Sequence, residues 1–238
     1  MVVRSQKAYA KLNLYLDVVG YMPNGYYSLE SVMCSVDLAD DVEVSLDFGD
    51  AGIFVEMEDE KGQPITLVET AKNTAYRAAV KMKELYADRV ISEGFRVADL
   101  TIGIHIKKRI PSEAGLGGAS ADAAAVIRLI DSMCSLHIPE QELEAVGAQI
   151  GADVPYCIRR GIVLAKGIGD IMSNGPILSE IPVLLVKGKQ EKMSTPVAYK
   201  MLDARKLVEK TGDVMLFTRA LTARDWKRVR GSGLTNSR

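Results

Sequence analysis

The run Pro111-Ser-Glu-Ala-Gly-Leu-Gly-Gly-Ala-Ser120 sets Gly115, Gly117 and Gly118 close together, with the hydroxyl of Ser120 just beyond them. Glycines lack the Cβ that would block a tight turn or the close approach of a ligand to the backbone. Where such a turn leads into a helix, unpaired N–H groups and the positive end of the helix dipole face one point, which suits an anion and most often phosphate. A single hydroxyl is enough protein ligand for magnesium when phosphate and water supply the other oxygens. This cradle contains no cation of its own. Lys11 offers one from Ala8-Tyr-Ala-Lys-Leu-Asn-Leu-Tyr-Leu16, where it is flanked by apolar strand residues. Asp153 offers a carboxylate, held between a glycine turn and a proline in Gly151-Ala-Asp-Val-Pro155. On residue type alone, Lys11 fits a snorkelling strand-edge residue and Asp153 a helix-end cap as well as they fit catalytic groups.

The elements around the glycine run support the cradle. Leu100-Thr-Ile-Gly-Ile-His-Ile106 is rich in β-formers, and Ala123, Val126, Ile127, Ile130, Met133 and Cys134 follow at helical spacing. A Walker-type loop would end in Gly-Lys-Ser/Thr, whereas Gly118 is followed by Ala119 and Ser120, with no lysine in the loop. A dinucleotide-binding unit would need a second parallel strand after the helix. Here the helix to Ser135 leads into another at Pro139, which carries Leu143, Val146 and Ile150 inward.

The first part of the chain reads as β. Alternation runs through Val2 to Val19, Ser28 to Leu38, Asp41 to Phe48 and Gly52 to Met57, with turns at Pro23-Asn24-Gly25 and Phe48-Gly49-Asp50. Asn73 is the expected N-cap of a helix through about Tyr86, with Ala75, Ala78, Ala79, Met82 and Leu85 on one face. Gly151 to Pro155 is expected to break the helix after Pro139, and strands are expected to return at 161–166 and 182–187. Thr195-Pro196 opens a further helix, and Thr222-x-x-Asp225 resembles a capping box for one that holds Trp226. A boundary near residue 160 divides the expected domains into 1–160 and 161–238.

Bulk properties narrow the partners. With 238 residues the chain is long enough for one large or two small domains, and a net charge of −1 gives no general attraction to nucleic acid. The small basic clusters at Lys107-Lys108-Arg109, Arg159-Arg160 and Arg224 to Arg230 read as solvated faces. No apolar run reaches membrane-span length, so no membrane partner is expected. Cys34, Cys134 and Cys157 are odd in number and far apart, which suits reduced core thiols in a cytoplasmic protein. The two histidines, His105 and His137, have no ligand-like neighbours. A zinc enzyme and a Ser-His-Asp hydrolase are therefore disfavoured.

Taken in order, Ala10-Lys-Leu-Asn-Leu14 with Gly25-Tyr-Tyr27, the Pro-x3-Gly-Leu-Gly-Gly-x-Ser loop and Gly151-Ala-Asp-Val-Pro155 resemble the GHMP small-molecule kinases. Asn73-Thr-Ala-x-x-Ala-Ala79, Gly167-x-Gly-Asp170 and Thr195-Pro-Val197 add to the match, which runs from residue 8 to about residue 200. Within the family, the first and third segments are most similar to the branch that acts on 4-diphosphocytidyl-2-C-methyl-D-erythritol. The resemblance implies an α+β fold: an N-terminal domain like domain 2 of ribosomal protein S5, with a left-handed βαβ crossover, and a ferredoxin-like C-terminal domain. It implies ATP and Mg2+ as cofactors, a cytidyl substrate lying between the domains, and a monomer or homodimer. Pro111, Gly115, Leu116, Gly117, Gly118, Ala119 and Ser120 would wrap the ATP phosphates, with Ser120 near the metal. Asn73 and Lys107 would lie by the base or ribose. Asp153 would accept the proton of the substrate hydroxyl and Lys11 would stabilise charge. Asn13, Tyr26, Tyr27 and Thr195 would face the substrate.

Two departures qualify the match. The family reads Gly-Tyr-His where this chain has Gly25-Tyr26-Tyr27. The segment Gly231-Ser-Gly233 does not continue as the family's third glycine motif, so the C-terminal domain is expected to be incomplete. Another GHMP kinase, or a nucleotide-binding fragment without turnover, is the alternative expectation.

Overall fold

Alternation from Val2 onward produces β1 (Val2–Tyr21), and after a turn the chain returns as β2 (Tyr27–Phe48), which pairs with it. At the turn, Met22 N–H donates to Tyr26 O at 2.8 Å and Gly25 takes φ +83°. The computed structural model describes residues 1–23, 25–49, 52–67, 69–92, 95–178, 181–186 and 212–232. β2 is one strand where the sequence suggests two. The aspartates that look like a break stay extended because both are partnered: Asp40 receives N–H groups and an ammonium, and Asp41 pairs with Lys7 and Arg109.

β3 (Ile53–Glu58) leads through a 3-10 turn to α1 (Thr74–Leu85). A short hairpin, β4 (Val90–Ser92) and β5 (Phe95–Arg96), follows, which sequence alternation does not reveal. β6 (Leu100–Lys107) then runs parallel to β3 and antiparallel to β2, in register Val44 to Ile104. Its inward residues Leu100, Ile102, Ile104 and Ile106 alternate with half-exposed ones, as a one-sided sheet requires.

α2 (Gly118–Met133) packs against α1, and both helices bury small residues, among them Ala75, Ala78 and Ala79 in α1 and Ala121, Ala124 and Ala125 in α2. α3 (Glu140–Ala148) follows with Pro139 as its N-cap. α4 (Val154–Arg159) then starts where the sequence suggests only a break. Pro155 lies in the first turn of α4, where a missing N–H is harmless, so the glycine–proline segment ends one helix and opens another.

β7 (Ile162–Gly167) pairs with the first part of β2, and β8 (Ile171–Asn174) pairs back on β7 around Gly167-Ile-Gly-Asp170. Residues 181–186 form no strand, contrary to the alternation at 182–187; hydrophobic spacing does not supply a pairing partner. α5 (Val214–Thr222) is capped by Asp213, and α6 (Trp226–Ser232) starts after Asp225, whose carboxylate accepts Arg228 N–H at 3.1 Å. Asp225 is thus the cap, whereas Thr222 ends α5 and its hydroxyl donates to Thr218 O. Gly231 and Ser232 belong to α6. The helix expected at Thr195-Pro196 lies outside the described residues.

The fold is mixed α+β, and its contacts divide into two units. The first comprises Met1–Lys11, Val36–Ser112 and Leu116–Arg159; the second comprises Leu12–Ser35, Glu113–Gly115 and Arg160–Arg238. A single cut at 160 does not describe this division, because β1 and β2 are long enough to serve both units. The second unit has its own core of Tyr15, Val32, Val214, Phe217 and Leu221. Among the described residues no helix is long and apolar enough to cross a membrane.

Candidate active site

The site is built where three segments of the first unit meet. β6 ends at Lys107, the glycine run follows, and α2 begins at Gly118 with Gly117 as its N-cap at φ +69°. The first N–H groups of a helix have no intrahelical acceptor, so those at Gly118, Ala119 and Ser120 are available to a ligand. Lys11 on β1 donates its backbone N–H to Leu116 O at 2.8 Å, which ties the loop to the strand. Its aliphatic stem lies on Gly117, where an added Cβ would come within 2.8 Å of Lys11 Cγ. Gly117 is therefore required twice, by its backbone conformation and by the lysine passing over it.

The stem of Lys11 is buried, and its Nζ reaches Asp153 Oδ2 at 3.2 Å. Asp153 immediately precedes α4, and its carbonyl accepts Cys157 N–H at 3.1 Å. Its carboxylate meets Lys11 instead of capping the helix. Gly151 brings the same segment up to α2: a Cβ there would stand 4.0 Å from Ser120 Oγ. The α1 end is held by Thr74, whose hydroxyl donates to Ala119 O at 2.6 Å. Lys11, Asp153, Gly117 and Ser120 are thus gathered by β1, α2 and the turn before α4.

Two other candidates of this unit are engaged locally. The side-chain carbonyl of Asn73 accepts N–H from Ala75 at 2.9 Å and Tyr76 at 3.1 Å, capping α1, while its amide approaches Met57 Sδ at 3.3 Å. Lys107 Nζ lies 3.6 Å from Glu58 Oε1. Pro111 is exposed at the start of the loop. Two shallow surface depressions, one lined by Tyr76, Arg77 and Gln149 and one by Glu43, Phe54 and His105, gather no comparable set of groups.

Sequence reading missed three residues directly behind the loop. Lys108 is not part of a solvated face: its Nζ sits between Asp40 and Asp122 Oδ2, the latter at 2.6 Å. Arg109 pairs with Asp41, and Arg159 makes two 2.7 Å bonds to Glu144, so these basic clusters are matched by carboxylates distant in sequence. The available signal was Asp122 itself, a charge inside the apolar run Ala121 to Ile127, which must find a partner if buried. Burial drives its carboxyl up to about 7, against the pull of the Lys108 ammonium.

The second unit holds Asn13, Tyr26 and Tyr27. Asn13 is exposed beside Ser31, whose hydroxyl lies 3.4 Å from Asn13 Oδ1 and donates to Tyr15 O at 2.8 Å. Tyr26 is 61% exposed, whereas Tyr27 sets its ring edge-on to Tyr21 at 4.9 Å. Gly115 takes φ +76°. Thr195 lies outside the described residues.

Residues 73–161, which hold the glycine run, α2 and Asp153, match the family model described as the GHMP kinases N terminal domain. This part of the chain is similar to the GHMP kinases. A protein from Acetivibrio thermocellus named 4-diphosphocytidyl-2-C-methyl-D-erythritol kinase is 43% identical over 185 residues, 78% of this chain and 59% of that protein. A protein of the same name from Clostridium beijerinckii is 36% identical over 202 residues, 85% of this chain and 66% of its own length. The chain thus spans about three fifths to two thirds of the length of these curated relatives. A crystal structure of 4-(cytidine 5'-diphospho)-2C-methyl-D-erythritol kinase superposes with a TM-score of 0.66 at 25% identity, covering 96% of this chain and 76% of that one. Homoserine kinase from Cytophaga hutchinsonii, at 16% identity and a TM-score of 0.62, shares the fold.

Proposed function

We propose that this chain transfers the γ-phosphoryl group of ATP to the free 2-hydroxyl of 4-diphosphocytidyl-2-C-methyl-D-erythritol, a step of non-mevalonate isoprenoid precursor synthesis. The observation that carries the reading is the Lys11–Asp153 pair, 3.2 Å apart beside the N-terminus of α2. Phosphoryl transfer asks a protein mainly for positioning and charge stabilisation, and this pair with the loop supplies both. The substrate oxygen attacks the γ-phosphorus, the bond to the β-phosphate oxygen breaks, ADP leaves, and the hydroxyl proton passes to Asp153. Lys11 holds the attacking oxygen and offsets the charge that develops on the phosphoryl group. Backbone N–H groups from the loop and from Gly118 to Ser120 bind the ATP phosphates, and Asn73 and Lys107 lie toward the base or ribose.

Magnesium arriving with ATP would be held through the Ser120 hydroxyl and would neutralise phosphate charge. An ion that enters on phosphate oxygens needs few ligands from the protein. Asn13, Tyr26, Tyr27 and Thr195 are the residues assigned to the cytidyl substrate, with Tyr26, a largely exposed ring, assigned to stack on the base. The three buried free cysteines suit a reducing compartment, and we place the activity in the cytoplasm.

The test is ADP release from the purified chain with ATP, magnesium and the cytidyl alcohol, alongside mevalonate, galactose and homoserine. Asp153→Asn is expected to lower kcat by about 10²–10⁴-fold, the usual contribution of a positioned acid–base group. Turnover by that variant close to the wild-type rate would remove Asp153 from the mechanism. Preference for another alcohol in the panel would move the substrate assignment while leaving the phosphoryl chemistry.

A further inference from the structure

The charge cluster behind the glycine loop has a geometry that core packing does not require. Asp40 on β2 is fully buried; its Oδ1 accepts N–H from Arg109 and, at 2.8 Å, from Ile110, and its Oδ2 accepts from Lys108 Nζ. Lys108 Nζ also donates to Oδ2 of Asp122, one turn into α2. The other carboxylate oxygen of Asp122, Oδ1, is buried without a hydrogen-bond partner, so this carboxylate's hydrogen bond goes to the lysine. The ammonium lies 3.5 Å from the Cβ position of Gly118, directly under the first residue of α2. β6 ends at Lys107, Lys108–Ile110 open the loop and Gly118 closes it, so the cluster joins its two ends across one buried strand residue.

Apolar residues of similar volume would hold such a junction as well or better, since burying ions costs more than their attraction often returns. Directional bonds, by contrast, set the distance between the loop's two ends.

We propose that Lys108 and Asp122 are positioning residues for polyphosphate: their bond sets the spacing of the N–H groups at the start of α2, and so governs affinity for ATP and not for the alcohol. This rests on the reading of the loop as the ATP-phosphate site. Neither residue touches the reacting atoms; both act through the backbone between them.

The experiment measures the Kd of ATP by calorimetry, the two KM values and thermal stability for the wild type, Asp122→Asn, Lys108→Arg and the double variant Lys108→Met/Asp122→Leu. Asp122→Asn is expected to raise Kd and KM for ATP about tenfold, equivalent to about 1.4 kcal/mol, with KM for the alcohol within about twofold. Lys108→Arg, which keeps the charge, is expected to stay closer to wild type. The double variant, which leaves the buried Asp40 carboxylate without its ammonium, is expected to lose thermal stability as well as ATP affinity. Asp122→Asn, by contrast, is expected to lose ATP affinity while staying folded near the wild-type midpoint, a split that a merely structural cluster would not produce. Wild-type ATP affinity in a folded Asp122→Asn or in the double variant overturns the proposal while leaving the kinase reading intact. Absence of ATP binding by the wild type overturns both. Binding that is weakened by the variants, in a chain that turns over no alcohol, upholds the positioning role and removes only the proposed activity.

Discussion

Lys11 and Asp153 differ in exposure, the first with its side chain 8% exposed and the second 41%. A half-open ion pair of this kind contributes little to folding because solvent screens it. The effect of Asp153→Asn is therefore expected in turnover and not in thermal stability. Asp122 is the opposite case. Burial raises its carboxyl from 3.8 to about 7, so the folded chain holds this proton more tightly than the unfolded chain. Its contribution to stability is then full below about pH 4, declines as pH rises, and levels off above about pH 7. Lys108 faces it and is raised by the two aspartates, so the ammonium does not titrate in this window. Urea unfolding at about pH 5 and about pH 8 is expected to show wild type losing stability relative to Asp122→Asn at the higher pH. A difference that does not change with pH would mean that the carboxyl titrates in its ordinary range.

At the scale of elements, α1 depends on its first residue boundary. The Asn73 side chain caps it by accepting two N–H bonds. Asn73→Ala is expected to lower stability by about 1 kcal/mol, and Asn73→Asp, which keeps an acceptor at the cap, to lose much less. Denaturant midpoints of the two variants check this. Equal losses would mean that the amide's contact with Met57 Sδ matters more than the cap. α4 makes a related point. Pro155 suggests a break when read in isolation, yet proline suits a first turn, and the carbonyl of Asp153 accepts the N–H of Cys157. The same turn that starts α4 presents the Asp153 carboxylate to Lys11.

At the scale of the molecule, each unit is stabilised by its own apolar set. In the second unit Phe217 packs on Tyr15 with ring centroids 5.3 Å apart, and the Tyr15 hydroxyl, pushed up to about 12 by burial and by Asp17, donates to the Asp17 carboxylate that also receives Gly212 N–H. Phe217→Ala is expected to cost about 3–5 kcal/mol of that unit's stability. Hydrogen exchange is the suitable probe, because it reads each region separately. Amides of α5 and β7 are expected to lose protection while those of α2 keep theirs. Uniform loss across both would show that the units unfold together.

Much of the fold was legible in the sequence where the signal is local. The glycine run marked the start of α2 because only glycine takes the backbone angles found at Gly115 and Gly117 without strain. Asn73 marked α1 because its side chain satisfies N–H groups two and three residues on, and the β-rich run from Leu100 to Ile106 marked a strand. Local pattern failed where a partner was needed. Alternation at 182–187 did not yield a strand over 181–186, and Asp40 and Asp41 did not interrupt β2, because pairing depends on what lies across and not along the chain. The candidate site divides in the same way. The sequence determined that a glycine turn, a lysine and a carboxylate were present. Only the tertiary structure decided that Lys11 meets Asp153 and that Lys108 turns inward to Asp40 and Asp122. Strand register and burial choose which distant charges become neighbours, and neither is written in any short segment.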